Sequence, residues 1–157
     1  MKMSLLGNMA AWSAYAIFRS PLARRSRWIH DKTMKLFRVG AQRGSVKALS
    51  TYGFLLHFRG SDAASKEQGA LYIQAAADRG DAKSQYQMGK LYESGYPPVI
   101  FQLADKAFAN YHAAADQGHP VAIQRMVDIY AHGELGKEID LDKASSWEAK
   151  LGQKIGV

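Results

Sequence analysis

The sequence predicts an all-α fold of stacked helical hairpins, about three of them, behind an N-terminal helical extension. Three observations carry this. The first is an internal repeat: 75–95, AAADRGDAKSQYQMGKLYESG, and 113–133, AAADQGHPVAIQRMVDIYAHG, align at an offset of 38 with eight identities in 21 positions. Chance would give about one or two, and a period of that length marks a repeat architecture. The second is a 3.6-residue apolar periodicity on both sides of each repeated glycine. The third is composition: 47% hydrophobic, 11% aromatic, four prolines and no cysteine in 157 residues. That is a folded, helix-favouring chain able to bury one continuous core, and it excludes disulfide frameworks and thiolate metal sites.

The elements follow in order. Residues 5–18, LLGNMAAWSAYAIF, are apolar, interrupted by Asn8 and Ser13, and too short to span a bilayer. Ala14-Tyr15-Ala16 has the small-x-small form of a signal-peptide cleavage site. Only Lys2 precedes it as a basic region, however, and the apolar run continues beyond it. A helical extension is therefore expected over 1–27. Its stripe Leu5, Met9, Trp12 and Ala16 has two uses open to it: packing onto the next helix to cap the array, or lying on a membrane surface.

A half-repeat helix is expected at 28–44, then hairpins at 45–80, 81–118 and 119–152, and a tail at 153–157. In the second hairpin Ala104, Ala107, Tyr111, Ala114 and Ala115 form one helical face that Gly118 ends. Ile123, Met126, Val127 and Tyr130 continue the period to Gly133, with Pro120 in the first turn, where a missing N–H costs nothing. Short links at Gly44, Gly80 and Gly118 join successive repeats, and 95–104 and 133–141 are the long loops within them. Asp142-Lys143-Ala144 repeats Asp105-Lys106-Ala107, so a helix at 141–151 closes the last hairpin, with Trp147 expected against Ile129 and Tyr130.

Residues 81–118 show the unit best: Ser84, Met88, Gly89, Tyr92 and Gly95, then Asp105, Lys106, Ala107, Tyr111, Ala114, Ala115 and Gly118. This pattern resembles the Sel-one-like (Sel1-like) repeat, a relative of the tetratricopeptide repeat with a longer internal loop, across roughly 36–152. Val127, Asn110 and Arg59 depart from it, standing where a glycine, an aromatic and a helix-ending glycine are usual. The resemblance implies a right-handed α/α solenoid. It also implies a non-enzymatic scaffold or adaptor for protein–protein interaction, of a kind that often assembles complexes at or near bacterial membranes.

Chemistry is sparse by comparison. The five histidines, His30, His57, His112, His119 and His132, lack i, i+4 metal-ligand spacing. There is no nucleophile elbow and no phosphate-cradling loop. Glu138, Asp140 and Asp142 sit where they compensate a helix N-terminus. No catalytic, cofactor or metal site is expected, no small-molecule substrate is evident, and nucleic acid is not an expected partner.

Charge is more informative. Residues 1–47 hold ten Lys/Arg against one acid, Asp31, and 48–157 hold eleven against thirteen, so +9 and −2 make the net +7. Such asymmetry gives the N-terminal part an electrostatic task. Two surfaces follow. On the helices after the turn glycines, the positions off the core stripe form a candidate groove for a protein or peptide: Lys47, Phe54 and His57; Lys83, Gln87 and Lys90; Arg125 and Asp128. In the N-terminal part, Trp12, Arg19, Arg24, Arg25, Arg27 and Trp28 form a candidate docking surface for a partner or an anionic membrane. The alternative function is thus a membrane-surface regulator acting through the basic N-terminal helix. The expected location is cytoplasmic, at the inner face of the membrane where that helix engages it, with the periplasm as the alternative.

Overall fold

The computed structural model describes residues 2–20 and 27–155. Among these are eight helices and no strand: α1 (Lys2–Arg19), α2 (Arg27–Gln42), α3 (Val46–Arg59), α4 (Ala63–Ala77), α5 (Ala82–Ser94), α6 (Ala104–Asp116), α7 (Pro120–His132) and α8 (Leu141–Ile155). They form two compact units, Met1–Arg79 with α1 to α4 and Gly80–Val157 with α5 to α8. In each unit every helix packs on the next. The N-terminal extension is helical up to Arg19, and its residues 21–26 lie outside the described ones. Helix α8 runs to Ile155, past the expected start of the tail, of which 156 and 157 lie outside the description.

In the first unit, sequence sets how closely the helices approach. A Cβ on Gly7 would lie 3.2 Å from the carbonyl oxygen of Gly40, and one on Gly40 would lie 2.9 Å from the Ala48 Cβ. The α1–α2 crossing therefore admits only small residues, and α1 turns Gly7, Ala11 and Ala14 inward. Of the two uses open to Leu5, Met9, Trp12 and Ala16, this removes packing onto α2. Those four are on the outward face, with Leu5 65%, Met9 60% and Trp12 64% exposed. Phe37, fully buried, fills the space beyond the crossing and meets Phe18 edge-on at 6.2 Å. Helices α3 and α4 approach with equal closeness, since a Cβ on Gly53 would stand 2.8 Å from the Ile73 nitrogen. The link between them is short. The Gly60 N–H closes α3 on the Leu56 carbonyl (2.9 Å), and the Asp62 carboxylate accepts from the Ser65 N–H (2.8 Å) to start α4.

In the second unit α5 packs on α6 and α7 on α8. Asp81 caps α5 by accepting from the Ser84 N–H (2.8 Å), and His119 Nδ1 caps α7 by accepting from the Ala122 N–H (3.3 Å). Gly118 (φ +76°) and Gly133 (φ +70°) turn the chain in the left-handed region, as the glycine positions predict. Gly89 lies under Tyr111, whose ring atom Cδ1 would be 2.5 Å from an added Cβ. Asp140 starts α8, accepting from the Lys143 N–H at 2.9 Å and pairing with its ammonium at 2.8 Å. Trp147 is buried, 7% exposed, but the ring it meets edge-on is that of His112 at 5.3 Å. Lys150 likewise reaches Asp116 at 3.7 Å, so α8 sends two side chains to α6, while Tyr130 meets Phe108 instead.

Candidate functional site

In the first unit the structure joins residues that the sequence assigned to different surfaces. Lys47 on α3 lays its ammonium 4.1 Å from the Trp12 ring and 4.6 Å from that of Tyr15, both on α1. Arg19 also stands over Tyr15, its guanidinium 5.8 Å from the ring centroid. Trp28 is exposed with the Lys32 ammonium 3.9 Å above it. Arg24 and Arg25 lie outside the described residues, as does the Arg27 side chain.

Further along α3, Phe54 is half-buried and stacks on Phe58 at 5.8 Å, and His57 meets Phe58 edge-on at 4.8 Å. His57 Nδ1 lies 3.1 Å from the Lys66 carbonyl oxygen, which can only accept, so the ring hydrogen sits on Nδ1. Phe58 is exposed and was not among the expected residues, although its i, i+4 spacing from Phe54 was a visible signal. A cleft of about 330 Å³ lined by Asp31, Met34, Lys35, Arg38 and Tyr52 was also not foreseen. Burial, then the neighbouring Tyr72, pushes the Tyr52 phenol above its ordinary pKa, with Arg38 pulling the other way.

In the second unit Lys83 and Lys90 are exposed on α5, as expected. Gln87 between them is only 9% exposed, which removes it from any partner surface. Ser84, Gln87, Met88 and Leu91 fall at i, i+3, i+4 and i+7, so Gln87 belongs to the buried stripe of α5 despite its polarity.

Arg125 is also spent internally. Its side chain is 20% exposed and forms ion pairs with both Glu93 and Glu134, while its guanidinium stands 5.8 Å from the centre of the Tyr111 ring. The Tyr111 hydroxyl donates to Glu93 Oε2 at 2.6 Å. Burial works against the charged guanidinium, but the hydrogen bonds to Glu93 and Glu134 outweigh it and hold the Arg125 pKa above its usual value. Burial, then the bond to Glu93, raises that of Tyr111. The network is a brace between α5, α6, α7 and the loop after α7. Asp128 is half-buried and accepts from Gln124 at 3.1 Å. Among the described residues no three His, Asp or Glu side chains are grouped to hold a metal ion.

Antiparallel helices closed by glycine and alanine at their crossings, with polar side chains used for caps and braces, define a helical-hairpin repeat protein. The fold is that of the Sel1 repeat proteins. The chain resembles the crystal structure of a Sel1 repeat protein from Oxalobacter formigenes with a TM-score of 0.79 and 22% identity, covering 94% of this chain and 58% of that one. It resembles a protective antigen of uropathogenic Escherichia coli strains, described as displaying an SLR fold, with a TM-score of 0.78 and 21% identity, covering 94% of this chain and 30% of that one. The chain thus spans about three fifths of the first protein's length and under a third of the second's. No family model and no curated protein matches the sequence. The all-α Sel1-like repeat fold read from the sequence is the one observed.

Proposed function

We propose that the chain is a non-enzymatic interaction scaffold that takes an acidic, extended segment of a partner protein along α5. The observation that carries this reading is the pair Lys83 and Lys90, both exposed and seven residues apart on one helix. At 1.5 Å per residue their Cα atoms are about 10.5 Å apart on nearly the same face. A segment in the extended polyproline II conformation advances about 9 Å in three residues and returns to the same face, so carboxylates at positions i and i+3 of such a segment match the two ammonium groups. Fold analogy supports the scaffold class, since repeat proteins of stacked hairpins bind through helix faces. The internal use of Arg125, Glu93 and Glu134 supports it too, because these groups hold the hairpins together.

The test uses immobilised full-length protein and short peptides with two glutamates three residues apart, beside their glutamine counterparts. Each exposed ion pair contributes up to ~1 kcal/mol, so Lys83→Glu with Lys90→Glu should lower capture of the glutamate peptides about tenfold or more. Circular dichroism should not change. Equal capture by wild type and double variant would reject α5 as the binding face.

A further inference from the structure

We propose that the outward face of α1 lies on an anionic lipid bilayer. Leu5, Leu6, Met9, Trp12 and Ile17 are all exposed on this helix. At 100° per residue they fall within an arc of roughly 140°, opposite the buried Gly7, Ala11 and Ala14. Ser13, a hydroxyl within the arc, donates to the Met9 carbonyl at 3.0 Å and needs no water to satisfy it. Large apolar side chains outside and small ones inside reverse the order that burial alone would choose, so the outward face is matched to an apolar medium.

Charge complementarity selects the medium. The chain has no acid before Asp31, and cations border the apolar arc along one edge. Lys47 rests on Trp12 and Tyr15, and Arg19 stands over Tyr15. An indole at headgroup depth beside a lysine whose stem follows it outward is how an interfacial helix meets acidic lipid. Among the described residues no helix is long and apolar enough to cross a membrane. The geometry is that of a helix lying in the interface plane.

The test is co-sedimentation of the full chain with vesicles of phosphatidylcholine alone, or mixed with phosphatidylglycerol, at low and high salt. The expected result is sedimentation with the anionic vesicles at low salt, a loss of tenfold or more at high salt, and little with the neutral ones. Met9→Ser with Trp12→Ser should reduce it tenfold or more with unchanged circular dichroism. If that pair disturbs folding, Leu5→Ser with Leu6→Ser serves instead. Absence of sedimentation at low salt, salt-independent binding to both vesicle types, or full binding by the folded variants would each overturn the proposal. So would concentration-dependent self-association through Met9 and Trp12 without vesicle binding, which would make a second copy of the chain the occupant.

Discussion

Two glycines separate the two reasons a position excludes side chains. Gly80 has φ +88°, and a Cβ there would meet nothing within 4 Å. Any cost of Gly80→Ala is therefore backbone strain, about 1–2 kcal/mol for an L-residue in the left-handed region. Gly89 is helical with ordinary dihedrals, yet its Cβ would press on the Tyr111 ring. Gly89→Ala should cost about 1–3 kcal/mol through overpacking and should disturb the Tyr111–Glu93 bond as well. Urea denaturation of both variants checks this. The added substitution Tyr111→Leu, which shortens the obstructing ring, should relieve the Gly89→Ala penalty in part and leave that of Gly80→Ala untouched. If Tyr111→Leu shifts both penalties equally, the distinction fails. Both glycines were visible in the sequence as repeat positions, but the different causes were not. A glycine that ends a helix and one that admits a ring look alike in one dimension.

Helices were legible where periodicity had one solution. In α6 and α7 the stripes through Tyr111, Ala114 and Ala115 and through Ile123 and Met126 are the buried ones. In α1 two stripes have helical spacing, one large and one small, and periodicity cannot say which faces inward. The Gly7–Gly40 crossing decides it, and that contact joins residues 33 apart in sequence. Arg125 was misread for a similar reason: Glu93, its partner, is 32 residues away. Trp147 was placed correctly in the interior, but its ring contact with His112 on α6 was not visible in the sequence. Its position makes α8 the cover of the last hairpin, and a chain ending after Asp140 should leave the faces of His112 and Ile129 open. Such a truncation should melt earlier and aggregate, as followed by differential scanning fluorimetry with light scattering. A soluble truncation with an unchanged midpoint would show that α8 covers nothing the hairpin needs.

Across the whole molecule charge and indole exposure divide along the same line as the two units. Residues 1–79 carry thirteen Lys/Arg and four Asp/Glu, a net of +9, and 80–157 carry eight and ten, a net of −2. The first unit holds Trp12 and Trp28, both on the surface, and the second holds Trp147, enclosed. The three indoles therefore give the protein two optical channels. Iodide, an anionic quencher, should reach the pair in the basic unit readily and Trp147 poorly, so its quenching plot should bend towards the abscissa instead of rising in a straight line. With Trp12→Phe and Trp28→Phe in place, the remaining emission should be blue-shifted and should move to the red only when α5 to α8 unfold. Red emission from that variant under native conditions would contradict the enclosure of Trp147. Each half of this chain can thus be watched melting by its own light, without a label.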